Sequence, residues 1–174
     1  MSTELARIQE RLASEGEKTA AFFESLSSSE WGQQVYTTGS QWRVRQFLAH
    51  FVSAEHAYIR FMRDVLQGGE GAPRDFDINA FNEAETPPLS QNPVAELIAA
   101  FRQVRAELIG LCNNLTEADL SRIGYHPWFG EMELSWYLKL VYRHNVIHLR
   151  DIRQALQTGQ PVPHAAVLPP TQPG

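Results

Sequence analysis

Tyr142-Arg143-His144-Asn145-Val146-Ile147-His148-Leu149-Arg150-Asp151-Ile152 carries two histidines four residues apart. In a helix that interval puts both imidazoles on one side, one turn apart. The surrounding residues predict such a helix over about 134–156, because Leu134, Leu138, Val141, Leu149, Ile152 and Leu156 share a face at 100° per residue. Gly159 and Pro161 mark its end. His148 falls inside the apolar stripe, His144 on its edge beside Tyr137, and Asn145 near its middle. Burying polar groups without partners is unfavourable, so these three need hydrogen bonds or a metal ion. Within this one helix, satisfied core histidines and metal ligands are equally good readings.

Outward from this helix, three further segments repeat apolar residues every three or four positions, and none alternates every second residue. One spans about 3–26 through Leu5, Ile8, Leu12, Ala20, Phe23 and Leu26, closed by Ser27-Ser28-Ser29. Another spans about 44–66 through Val44, Phe47, Leu48, Phe51, Tyr58, Met62 and Leu66, stopped by Gly68-Gly69. The third starts at Asn92-Pro93, read as an N-cap followed by a first-turn proline, and runs to about 114 through Leu97, Phe101, Val104, Leu108 and Leu111. Each is roughly 35 Å long at 1.5 Å per residue, a set suited to an all-α four-helix bundle.

A long crossover, residues 68–91 with Pro73, Pro87 and Pro88, separates helices two and three, so these two need not be antiparallel neighbours. Residues 1–158 form the bundle domain. Residues 159–174 hold five of the ten prolines and form an extended tail, either disordered or laid on the bundle surface.

The net charge is -5, and thirteen arginines and two lysines are scattered without a basic run. Nucleic acid is therefore not expected as a partner, since phosphate binding needs a concentrated basic surface. A small molecule suits the chain better. The apolar runs are too short for a membrane span, and the first fifteen residues lack the features of a secretory signal. A single cysteine, Cys112, in an apolar helical stretch reads as a buried structural thiol. These features together place the protein in the cytoplasm.

A third metal ligand would have to come from another helix, and Trp42-Arg43-Val44-Arg45-Gln46-Phe47-Leu48-Ala49-His50-Phe51-Val52-Ser53-Ala54-Glu55 offers His50. By periodicity alone His50 lies about 120° from the centre of its helix's apolar face, at a helix–helix boundary. The segment resembles the second-helix signature of the DinB/YfiT-like superfamily: tryptophan, a leucine-containing turn, then histidine followed by an acid. Residues 142–152 resemble that family's closing helix, with its H-x-x-x-H-x-x-D-I ending. The resemblance runs from about residue 5 to 157.

It implies a metal-binding four-helix bundle in which His50, His144 and His148 hold one divalent ion, zinc or nickel, and it implies a homodimer. It further implies an enzyme that uses a low-molecular-weight thiol in transfer or isomerisation. Hydrolysis by a metal-bound hydroxide is the alternative chemistry, and a stress-associated, non-catalytic metal-binding bundle is the alternative to an enzyme. Near the branch containing mycothiol-dependent maleylpyruvate isomerase, the stretch Asp77-Ile78-Asn79-Ala80-Phe81-Asn82 implies amides, Asn79 and Asn82, lining a pocket over the metal, although Asn also favours loops for turn reasons.

Other polar residues remain open in role. Asp151 is either an acceptor orienting a ligand ring or a surface partner of Arg150 or Arg153. Glu55 is either a buried general base or, preferred, the partner of an inward arginine. His126, in Gly124-Tyr125-His126-Pro127-Trp128-Phe129-Gly130, reads as an exposed and inert loop histidine or as one that closes the site. His56 and His164 are not ligand candidates.

Overall fold

The computed structural model describes residues 3–164. Four long helices are α1 (Glu4–Glu24), α2 (Val44–Leu66), α4 (Val94–Cys112) and α5 (Leu134–Thr158), with a fifth, α3 (Ile78–Leu89), in the crossover. Among the described residues no helix is long and apolar enough to cross a membrane. In the bundle, α1 and α2 each pack against both α4 and α5, so helices consecutive in sequence, α1 and α2, stand across the diagonal. The crossover nevertheless joins neighbours, since α2 packs on α4.

Each long helix forms where its stripe predicts. Thr3 caps α1 by accepting from the Ala6 N–H at 3.2 Å, and Leu5, Ile8, Leu12, Ala20 and Phe23 bury the inward face. Gly159, at φ 68°, ends α5 in the left-handed region that glycine adopts without a Cβ clash. The start of α4 differs from expectation by one residue: Pro93, not Asn92, holds the cap position. The Asn92 N–H is still bonded to Leu89 O, so it belongs to the turn leaving α3.

Two features depart further from the sequence reading, and a third chooses between its alternatives. The crossover is not a bare loop: Asp77 accepts from the N–H groups of Asn79 and Ala80 and starts α3, with Pro87 and Pro88 confined to its last turn, and α3 packs on α2. Residues 123–133 form an antiparallel hairpin of β1 (Ile123–His126) and β2 (Gly130–Glu133), in register Ile123↔Glu133 to His126↔Gly130. Gly124 lets the hairpin dock on the end of α2, because a Cβ there would meet Val65 Cγ2 at 2.4 Å. The start of the tail is tied down, with Val162 buried and its backbone paired to Val35 and Thr37; residues 165–174 lie outside the described residues.

One buried polar group touches all four bundle helices. Arg105 of α4 donates through Nε and Nη2 to Glu55 of α2 at 2.9 and 2.5 Å, and through Nη1 to the Leu12 carbonyl of α1 at 2.8 Å. Asn145 of α5 donates to the same Glu55 at 2.9 Å. Gly16 makes room for it on α1, since a Cβ would lie 2.9 Å from Arg105 Cγ. Glu55 is thus the partner of an inward arginine, as preferred from sequence. Cys112 is buried, and desolvation pushes its thiol up to about 12, as an inert structural cysteine requires.

Removing one side of a buried pair leaves the other charge without compensation, which costs about 3–5 kcal/mol. Glu55→Ala and Arg105→Ala are each expected to lower unfolding free energy by about that amount in denaturant titrations. The double variant Glu55→Leu/Arg105→Leu is expected to lose less than the sum of the two. Full additivity would show that the pair does not act as a unit.

Candidate metal centre

The same alignment of α2 and α5 brings His50, His144 and His148 together. His50 Nε2 lies 3.0 Å from His144 Nε2, and His148 Nε2 lies 3.1 Å from it. One ligating atom from each of the three falls within 4.8 Å of the others. The rings stand nearly perpendicular to one another, at 75°, 81° and 85°, so they surround a common point instead of stacking. His50 and His148 are buried and His144 is half-buried. His50 reaches the interior from the edge of its helix face because the Trp42 indole covers it, with ring centroids 5.0 Å apart.

This apolar surrounding sets the protonation state. Desolvation lowers the pKa of all three rings, His144 to about 4 and His50 and His148 well below the ordinary 6.5. Mutual repulsion with His144 lowers His50 and His148 further, while Asn82 opposes the shift at His50 and Asn145 at His144. The rings are neutral at pH 7, which is the ligating form of imidazole.

The tautomer of His148 follows from its neighbours. Tyr36 donates its single hydroxyl proton to Asp151 Oδ2 at 2.9 Å, and its oxygen lies 2.8 Å from His148 Nδ1. The hydroxyl therefore accepts from Nδ1–H, and His148 Nε2 turns a bare lone pair into the cluster. Asp151 reaches the ring only through Tyr36, which is the direct acceptor, and it pairs with Arg150 at 2.9 Å as the second sequence reading has it, although its carboxylate is buried and not on the surface.

Three such rings cannot satisfy one another. A neutral ring nitrogen either carries a proton or accepts one, so His144 Nε2 cannot make complementary hydrogen bonds of both kinds with its two neighbours. A cation at the common point takes all three lone pairs. Tetrahedral zinc with Zn–N bonds of about 2.0–2.1 Å needs nitrogens about 3.3 Å apart, and the two separations from His144 Nε2, 3.0 and 3.1 Å, come within a few tenths of that. The donor set fits a divalent ion on geometry and on chemistry.

Beside the triad opens a cavity of about 200 Å³. Trp42, Phe47, Tyr58, Phe61, Phe76 and Phe81 supply aromatic walls. Asn79 and Asn82 from α3 line it, as the resemblance implies, and His126 and Trp128 from the hairpin complete it. His126 is not an exposed loop residue: it is 3% exposed, because the hairpin packs it between Tyr58 and Phe129. His164 lies at the cavity too, 4.4 Å from the Tyr36 ring and stacked parallel to His148 at 6.2 Å, because Val162 pins the chain just before it. Glu55 is not among the lining residues: both its oxygens are engaged by Arg105 and Asn145, which leaves none for general-base work. His56 is exposed and apart from the site. Tyr36 went unseen in the sequence because it lies in a non-helical stretch with no periodic signal.

Comparison with known proteins agrees with this architecture. The DinB superfamily model matches residues 11–152. Among solved structures, YfiT from Bacillus subtilis, described as a probable metal-dependent hydrolase with an unusual four-helix bundle topology, has a TM-score of 0.72 at 22% identity, over 92% of this chain and 91% of its own. A mycothiol-dependent maleylpyruvate isomerase gives 0.72 at 19% identity over 87% of this chain; the chain spans only 63% of that enzyme. An uncharacterized protein from Clostridium difficile 630 gives 0.68 at 12% identity, over 90% and 97% of the two chains. At these identities the structural likeness is one of fold. No functionally curated protein matches the sequence significantly. With most of its length matched by the family's model and its bundle shared with these structures, the chain belongs to the DinB superfamily.

Proposed function

We propose that this protein is a metal-dependent enzyme in which His50, His144 and His148 hold a divalent ion, zinc or nickel, and in which a low-molecular-weight thiol is the nucleophile of a transfer or isomerisation. The observation that carries the reading is the convergence of three neutral imidazole nitrogens beside an open cavity. An ion bound by three imidazoles keeps a coordination position open and lowers the pKa of a thiol or water bound there. A site meant only to stabilise the fold would be closed by a fourth protein ligand.

The chain's own residues do the rest. Asp151 and Tyr36 fix the His148 tautomer. Trp42 and Phe47 keep water from the rings and so keep them neutral. Asn82 adds a polar side chain to the cavity wall from the α3 side. Thiol chemistry is favoured over hydrolysis by one feature of the wall: no Asp or Glu among the described residues lines the cavity. Activation of water gains from a carboxylate base, which this wall does not offer, whereas a thiol, more acidic than water, would need less help to ionise at the ion. YfiT's description supports hydrolysis as the second reading, and the isomerase's dependence on mycothiol supports the first.

Elemental analysis of the purified protein is expected to find about one divalent ion per chain, with most of it lost in His50→Ala, His144→Ala or His148→Ala while helical content is retained. In cobalt-substituted protein, mycothiol is expected to produce a thiolate-to-cobalt charge-transfer band. No band with thiol, together with ester hydrolysis, would favour the hydrolase. Tyr36→Phe removes the acceptor for His148 Nδ1–H and is expected to weaken metal affinity about 10- to 100-fold.

Acid has a defined effect on the metal-free fold. His126 and His144 have folded pKa values of about 4 against an ordinary 6.5, both lowered by desolvation. Between those values the unfolded chain binds more protons, so stability is full above pH 6.5 and is lost as pH falls toward 4. The Tm of chelator-treated protein is expected to drop between pH 7 and pH 5, and an unchanged Tm would contradict the burial of these rings.

A further inference from the structure

His126 ends β1 and is buried in the hairpin that flanks the cavity. Its ring lies nearly parallel to Tyr58 on one side, at 5.9 Å and 21°, and to Phe129 on the other, at 4.8 Å and 25°. The Trp128 backbone N–H donates to His126 Nδ1 at 3.2 Å. A ring nitrogen that accepts a hydrogen bond carries no proton, so this imidazole is neutral and its one proton sits on Nε2.

That proton has no taker among the described residues. Among the described residues His126 Nε2 makes no hydrogen bond, yet it is not one of the polar atoms sealed from solvent. His126 lines the cavity, which is the open space available to its Nε2–H. Tyr58 places the donor beside the triad, with its ring 6.4 Å from His144. A fixed N–H set among aromatic rings is costly to leave unmatched, and a bound acceptor supplies what the fold does not.

The rest of the wall limits what carries that acceptor. No Asp, Glu, Lys or Arg among the described residues lines the cavity, and its bulk is aromatic. An ionised group in this wall would lose its hydration without gaining a counter-charge from a side chain. We propose that His126 donates its Nε2–H to a carbonyl-type oxygen of an uncharged, largely aromatic or apolar substrate seated in the cavity. This rests on the metal-dependent reading for the reaction but not for the hydrogen bond, which needs no ion. The N–H orients the carbonyl and withdraws charge toward its oxygen, which makes it the better electrophile.

Acetophenone and α-methylstyrene have the same shape but differ in having C=O or C=CH2, and titrations followed by the indole N–H signals of Trp42 and Trp128 compare their binding. Wild-type protein is expected to bind acetophenone about three- to tenfold more tightly than α-methylstyrene, the span of one neutral hydrogen bond, and more tightly than benzoate. His126→Phe is expected to bind the ketone and the alkene equally. His126→Gln, whose amide nitrogen reaches near the Nε2 position, is expected to restore part of the preference. In chelator-treated protein, where no ion can hold a carbonyl or a carboxylate, a ketone preference that survives in folded His126→Phe, or benzoate as the tightest ligand, overturns the proposal.

If His126→Phe does not fold, the wild-type His126 Nε2–H resonance decides: it is expected to move downfield with acetophenone only, and no movement overturns the assignment. Metal content measured on the same samples reads the triad separately. Wild-type protein that takes up no metal but prefers the ketone would end the metal-dependent reading and support the His126 assignment.

Discussion

The Arg105–Glu55 pair is the constraint from which the site's geometry follows. A guanidinium and a carboxylate taken out of water must meet at close range with their remaining hydrogen-bond capacity used, or the fold loses several kcal/mol. Here the requirement is met only when α1 offers the Leu12 carbonyl, α2 Glu55, α4 Arg105 and α5 Asn145 at one level. Glu55 lies on the helix that carries His50, and Asn145 is next to His144. Sliding α2 along α5 by a single turn, 5.4 Å, would break the polar junction and carry His50 out of reach of His144. Hydrophobic stripes tolerate such slips, because one leucine can replace another; a charge pair with few alternatives does not. The registry that assembles the histidines is therefore enforced a little way along the bundle from the histidines themselves.

What was legible in the sequence was what repeats. Four amphipathic stripes gave the four long helices to within about two residues, and His144 and His148 declared their shared face through their interval. His50 was harder, because a helical wheel knows only its own helix. Its burial comes from Trp42, which precedes α2, and from the neighbouring rings of α5. The family signature, not periodicity, pointed to it. Asp151 and Glu55 each came with two readings, and only three-dimensional neighbours choose between them: Tyr36 and Arg150 for one, Arg105 and Asn145 for the other.

The parts that stayed hidden share a cause. α3 is short and ends on two prolines, which in sequence look like loop residues; its cap at Asp77 and its packing on α2 hold it. The hairpin has four-residue strands, and Gly124 within it is required by the approach of Val65, not by strand propensity. Tyr36 and His164 meet because Val162 pairs with Val35 and Thr37 across nearly the whole chain. Each of these depends on contacts between distant segments that leave no local pattern, and each lines or braces the cavity. The bundle was thus readable, while of the cavity's wall the family resemblance pointed only to Asn79 and Asn82.

That division bears on the chemistry. Three neutral imidazoles contribute no negative charge, and the described residues lining the cavity contain no carboxylate. Asp151, the acid linked to the ligands, is separated from His148 by the Tyr36 hydroxyl, so it orients the ring without touching the common point. A divalent ion at this point would keep its full charge within low-dielectric walls, where attraction for an anion is strongest. On the proposed reading the compensating charge would come from what binds there, a thiolate or a hydroxide. The aromatic walls raise the cost of any other ion, so the surroundings favour an anionic nucleophile and a neutral partner for it. The neutral His126 is suited to that second role, because a cationic residue in its place would compete with the metal for the nucleophile, while an N–H without net charge leaves it free.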